Sequence, residues 1–161
     1  MVKALRQQTG AGIMDCKRAL EKVNSDLNEA EALLKEQGLI SAASKSTRET
    51  LEGVVEAYIH SGNRLGAIVE INCETDFVAR IPEIKALAHD LAMQVAAMSP
   101  TYIDVQDMKD DDSRPPEEVC LLLQPFIKDS SRTVNEVIRE AISKVGENIR
   151  VGRIARFALG E

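Results

Sequence analysis

The spacing of apolar positions changes along the chain and divides it into a helical start, a β-hairpin and a mixed remainder. Val2 and Leu5 precede a Thr9-Gly10-Ala11-Gly12 break, and Ile13, Cys16, Ala19, Leu20 and Val23 follow it at helical spacing. After a second break at Asn24-Ser25, Asp26 and Glu29 stand three apart as in a capping box. Ala30, Leu33 and Leu34 then give an apolar stripe, and Gly38 is placed to cap the helix end. Residues 1–43 thus read as three helices sharing one small core. Residues 44–52 contain few apolar groups and read as a connecting segment.

Gly53 to His60 and Leu65 to Asn72 are rich in Val and Ile, and the Ser61-Gly62-Asn63-Arg64 stretch between them has turn chemistry, which predicts a β-hairpin. Pro82 then opens a series at Ile84, Leu87, Ala88, Leu91, Ala92 and Val95 that fits one helix face. Asp110 to Asp112, with Pro115 and Pro116 close behind, predict an exposed loop. Val119 to Ile127 reads as a third strand interrupted at Pro125. Thr133 and Glu136 repeat the capping-box spacing ahead of a helix that runs to Gly146. Ile149 to Leu159 closes the chain as a strand whose alternation breaks at Gly152-Arg153, the mark of a bulge. The expected class is α+β: a helical module, then a core domain over 53–161 made of an antiparallel sheet with helices packed on one face.

Composition narrows the functional classes. With 20 basic against 26 acidic residues the net charge is -6, opposite to the footprint of a phosphate-backbone binder, and two Tyr, three Phe and no Trp leave little to stack on bases. Nucleic acid is therefore not the expected ligand, and a protein partner is. No apolar run approaches the roughly 18 residues that cross a bilayer, and the basic start at Met1 to Arg6 is not followed by the apolar stretch of a secretory signal. Cys16, Cys73 and Cys120 are odd in number and widely separated, which fits reduced thiols of the cytoplasm or an organelle matrix.

Candidate chemistry is sparse. His60 and His89 have no Cys, Ser or carboxylate at a spacing that makes a triad or a metal site, and the Thr9 to Gly12 stretch lacks the Lys-Ser or Lys-Thr of a phosphate loop. No catalytic residue, metal or cofactor is expected. Arg150, Arg153 and Arg156 recur with period three, which does not keep them on one face of a strand, so they read as surface charges. The Asp110 to Asp112 run reads as a solvated connection, because consecutive carboxylates diverge.

Two segments carry a family resemblance: Leu5 to Leu20, with its Arg6-Gln7-Gln8-Thr9-Gly10-Ala11-Gly12-Ile13-Met14-Asp15 run, and Glu70 to Ala79, with Thr75-Asp76-Phe77-Val78. Both resemble signatures of the elongation factor Ts family, and Gly146-Glu147-Asn148-Ile149 also fits. The resemblance implies a ubiquitin-associated-like fold for residues 1–43 and guanine nucleotide exchange on the translational GTPase elongation factor Tu. It implies that Phe77 wedges between helices near the partner's magnesium site, that Asp76 accepts hydrogen bonds there, and that Arg6, Ile13 and Met14 grip the nucleotide-binding domain. In the competing reading Thr75 and Asp76 only cap a helical turn, Phe77 is core, and at least one of Ile13 and Met14 packs internally. The rival from another class is an adaptor that uses the helical module to bind a different protein.

Two departures from the family pattern stand out. Ile13 occupies a position where the family usually has Met, a volume-conserving change. The stretch from Met98 to Val119 is short compared with members that carry a second core lobe. A single lobe, an apolar run at Val119 to Leu123 that offers groups to both faces of a sheet, and helices enough for only one face together predict a homodimer. The alternative is that residues 99–118 fold back over the second face.

Overall fold

The computed structural model describes residues 1–161. The chain opens with α1 (Val2–Thr9), α2 (Ile13–Lys22) and α3 (Leu27–Lys45). Gly10 ends α1 in the left-handed region at φ 68, a conformation that costs glycine least. The Asp26 side chain accepts from the N–H groups of Asn28 and Glu29, both at 2.9 Å, and so satisfies two orphan donors at the start of α3. Leu5, Cys16, Ala19, Leu20, Ala30 and Leu34 bury against one another as the expected small core.

Gly38 does not end α3. The helix runs on to Lys45, so the boundary drawn at residues 43 and 44 falls inside it. A Cβ at Gly38 would lie 2.8 Å from Ser143 Oγ on the later helix α7 (Val134–Val145), so glycine here permits close helix approach rather than termination. Ala42, one turn further on, already belongs to the main core.

That core lies beneath a three-stranded antiparallel sheet in the order β1-β2-β5, formed by β1 (Glu52–Ile59), β2 (Leu65–Cys73) and β5 (Ile149–Ala158). The hairpin and the closing strand are therefore as expected. So is the bulge: Glu70 faces Arg153 while Ile71 faces Val151, which leaves Gly152 as the extra residue. Helices α5 (Pro82–Met98) and α7 both pack on the face presented by Ala67, Val69, Ile71, Cys73, Ile149 and Val151. Each large aliphatic side chain fully buried there, such as Ile71 or Leu91, contributes roughly 1.5–3 kcal/mol. Thr133 and Glu136 form the reciprocal capping box at the start of α7, and Gly146 ends it at φ 77.

Val119 to Ile127 is not a strand of this sheet. It divides into α6 (Pro116–Val119), a 3-10 turn at Leu121–Leu123 and the two-residue β3 (Pro125–Phe126), which pairs with β4 (Asp129–Thr133). A buried amide network imposes this path. Gln94 Nε2 donates to Gln124 Oε1 at 3.2 Å and to the Pro125 carbonyl at 3.1 Å, and the Ile127 N–H donates to Gln94 Oε1 at 2.7 Å. Gln124 Nε2 donates to the carbonyls of Glu118 and Met98. The run is apolar on successive residues because it packs into the core as irregular chain, so its alternation says nothing about a second sheet face. Residues 99–118 do not cover that face either: Val55, Ile59, Ile68 and Phe157 on it remain exposed.

Gln94→Leu keeps the volume but leaves the Pro125 carbonyl and the Ile127 N–H without their partner. It is expected to lower unfolding stability by about 2–3 kcal/mol, since each buried group left unpaired costs about 1–3 kcal/mol. Urea denaturation measures this, and an unchanged midpoint would show that the amide network does not hold the segment.

Candidate partner-binding surface

β2 ends at Cys73, and the chain turns through Glu74 and Thr75 into the five-residue helix α4 (Asp76–Arg80). A helix this short has almost no stability of its own, so its orientation comes from what holds its ends. Thr75 is the cap: its Oγ1 accepts from the Val78 N–H at 3.5 Å. The same hydroxyl donates to Glu147 Oε1 at 2.7 Å, and the Thr75 N–H donates to Glu147 Oε2 at 3.0 Å. One residue back, Glu74 Oε1 accepts from the Asn148 N–H at 2.7 Å. The turn after β2 and the turn before β5 thus exchange carboxylates, each accepting from the other's backbone.

Asn148 is buried and ties in the segment between α3 and β1, donating through Nδ2 to the carbonyls of Ser46 and Arg48 at 3.3 and 2.9 Å. Arg48 also reaches Glu74 at 3.5 Å. Below the turn the Cys73 thiol donates to the Thr75 carbonyl at 3.1 Å. Burial, with the nearby Glu147 carboxylate adding to it, pushes this thiol up from its ordinary pKa and keeps it a donor instead of a nucleophile.

On this anchored base the four residues of the motif point to different places. Thr75 sits in the clamp, Val78 packs against the core, and Asp76 lies half-exposed and pairs with Arg80 at 2.8 Å. Phe77 is 77% exposed. Half of the competing reading holds, because Thr75 does cap a helical turn; the other half does not, because Phe77 is not core.

The N-terminal residues are presented in a similar way. Ile13 and Met14 begin α2 and are 55% and 63% exposed, since Cys16, Ala19 and Leu20 take the inward face. Neither packs internally, and Arg6 on α1 is also exposed. The Gly10 to Gly12 turn behind them comes near the Lys144 side chain of α7, where a Cβ at Gly10 would lie 3.1 Å from Lys144 Cε. The last turn of α7 thus lies near the turn before one exposed set, while Glu147, just past its end, bonds the turn before the other.

The remaining candidates do no chemistry together. Tyr58 bonds His60 Nδ1 at 2.8 Å, and His89 pairs with Glu56 at 3.3 Å. Asp112 accepts from Tyr102 Oη and from Arg114, whose guanidinium holds the Asp112 carboxyl far below the usual carboxylate range, while Asp110 and Asp111 face solvent. Arg153 pairs with Glu70 at 2.7 Å, and Arg156 donates to the Ala96 carbonyl, so the three arginines form no row. Sequence reasoning missed the clamp at Glu147 and Asn148, although it noticed those residues as part of a motif. The uncovered apolar sheet face it expected is present, but Val55, Ile59, Ile68 and Phe157 form it and the Val119 to Leu123 run does not.

A family model described as Elongation factor TS matches residues 7–114. The chain is 46% identical over 191 aligned positions to elongation factor Ts of Carboxydothermus hydrogenoformans, covering all of this chain and 88% of that protein. It is 44% identical to that of Heliobacterium modesticaldum, with 89% of the relative covered, and 45% identical to that of a Synechococcus species, with 68% covered. An alignment of 191 positions against a 161-residue chain leaves at least 30 positions of the first relative opposite gaps inside this one. Proteins of this family are nucleotide-exchange factors and not catalytic enzymes, in keeping with a site that consists of anchored, exposed side chains. The chain belongs to the elongation factor Ts family.

Proposed function

We propose that the chain is the guanine nucleotide exchange factor of elongation factor Tu and that Phe77 is its exchange element. The observation that carries this reading is a large aromatic side chain held 77% exposed on a short helix whose entry residue, Thr75, is bonded to Glu147 through both its N–H and its hydroxyl. An exchange factor must bind the nucleotide-free GTPase better than the GDP-bound form, because each ligand lowers the other's affinity by the same factor. A rigid wedge supplies that difference. Phe77 enters between helices of the GTPase beside its magnesium site, Asp76 accepts hydrogen bonds there, Val78 anchors the wedge from below, and loss of magnesium coordination loosens the diphosphate. Residues 1–43 act as a ubiquitin-associated-like docking module that presents Arg6, Ile13 and Met14 to the nucleotide-binding domain. Both partners meet in the cytoplasm or an organelle matrix.

Stopped-flow release of a fluorescent GDP analogue from elongation factor Tu tests the division of labour. Phe77→Ala is expected to lower the release rate at saturating factor by about tenfold or more with no loss of melting temperature, because an exposed side chain carries little packing energy. Met14→Asp is expected to raise the half-saturating concentration and leave the saturating rate unchanged. Full exchange by a folded Phe77→Ala variant contradicts the wedge. Binding of the GTPase with no acceleration of GDP release by the natural chain would favour the adaptor reading.

The same chain acts as a homodimer through the open face of its sheet. Ala57, Ile68 and Ala155 lie opposite one another across the three strands, and Ile59, Gly66 and Phe157 form the next row, with Val55 beside them. An isologous contact with the same patch on a second copy is the simplest way to bury it. In sedimentation equilibrium the natural chain is expected to dimerise and Ile68→Asp to remain a monomer. A natural chain that stays monomeric across the concentration series ends the dimer proposal.

A further inference from the structure

The reading of Phe77 as the exchange element leaves open what keeps it in place. Its own packing does not, since most of its surface is exposed. The five residues of α4 do not, since one turn of helix frays in water. On the C-terminal side, Ala79 is buried and Ile81 leads directly into α5. On the N-terminal side the fixing is polar, and most of it passes through one carboxylate 72 residues away in sequence.

We infer that Glu147 is a positioning residue for nucleotide exchange, acting through Thr75 on the orientation of Phe77. The geometry has two parts. Glu147 Oε2 takes the Thr75 N–H, which fixes the peptide plane at the entry to α4. Glu147 Oε1 takes the only proton of the Thr75 hydroxyl, which turns the oxygen's lone pairs toward the Val78 N–H and makes it a competent cap. With the carboxylate removed, the hydroxyl is free to rotate, the cap weakens, and α4 samples orientations in which Phe77 no longer meets the partner as a wedge. Glu147 touches neither partner nor nucleotide in this scheme. The reciprocal bond from the Asn148 N–H to Glu74 stays in place, so the sheet end keeps its register while the helical turn loosens.

This inference rests on the proposed exchange activity of the chain, and the experiment separates the two. GDP release from elongation factor Tu is followed over a range of factor concentrations for the full natural chain, Glu147→Ala, Glu147→Gln, Thr75→Ser and Thr75→Val. Glu147→Ala is expected to lower the saturating release rate about tenfold, the factor equivalent to one charge-assisted hydrogen bond. Glu147→Gln, whose amide oxygen still accepts from the Thr75 N–H, recovers part of the loss, and Thr75→Ser, which keeps the capping hydroxyl, retains more of the rate than Thr75→Val. A merely structural role reduces the folded fraction, which raises the half-saturating concentration and leaves the saturating rate alone. That outcome for Glu147→Ala overturns the positioning role. Thr75→Val removes the hydroxyl without leaving Glu147 wholly unpaired; if Glu147→Ala does not fold, a natural saturating rate for Thr75→Val overturns the inference instead. A natural chain that does not accelerate GDP release overturns the exchange reading itself.

Discussion

Two carboxylates, Glu74 and Glu147, change places across the end of the sheet: each leaves its own turn and accepts a backbone N–H of the other. Everything that projects from this end of the molecule depends on that exchange. Backbone N–H groups at a strand end and at the entry to a helix have no ladder or helical partner, and if buried they must find one. Here the partners are charged, so the bonds are strong, and they join segments far apart in sequence, so they fix tertiary position as well as local conformation. Asn148 extends the same junction to the carbonyls of Ser46 and Arg48. The start of β1, the end of β2 and the start of β5 are thereby gathered at one point.

Helix α7 carries this junction to the N-terminal helices. It packs on the sheet through Val134, Ile138 and Ile142, meets α3 closely at Gly38, and brings the Lys144 side chain near the Gly10 turn. The helix that presents Ile13 and Met14 packs on α3, which packs on α7, and the turn that leads to Phe77 is bonded by Glu147 just past the end of α7. In the proposed scheme this arrangement lowers the ordering cost of binding, because the contacting groups are placed before the partner arrives. The cores on either side serve to hold the spacing.

Where local pattern and tertiary need coincided, the sequence was readable. The helix after Pro82, the capping box at Thr133, the hairpin and the bulge at Gly152 follow from periodicity, caps and turn residues, and all are present. Gly38 misled because glycine ends helices in isolation but also permits close packing, and only the position of Ser143 decides between the two. Val119 to Ile127 misled because continuous apolar character marks burial without marking conformation; the deciding side chains, Gln94 and Gln124, act through contacts 30 residues apart. At the candidate surface the motif identified Thr75 to Val78, but nothing local shows which of the four faces outward. Exposure of Phe77 is set by the direction in which α4 leaves the sheet, and Glu147, far along the chain, sets that direction.

Anchoring at Glu147 and exposure at Phe77 form one mechanism in this scheme, and a double-mutant cycle on the saturating rate of GDP release tests their union most directly. If Glu147 acts through Phe77, then Glu147→Ala introduced into the Phe77→Ala chain changes the rate no further, and the double variant matches Phe77→Ala alone. If the two losses multiply, the carboxylate contributes by a route that does not pass through the aromatic side chain, and the single mechanism is contradicted.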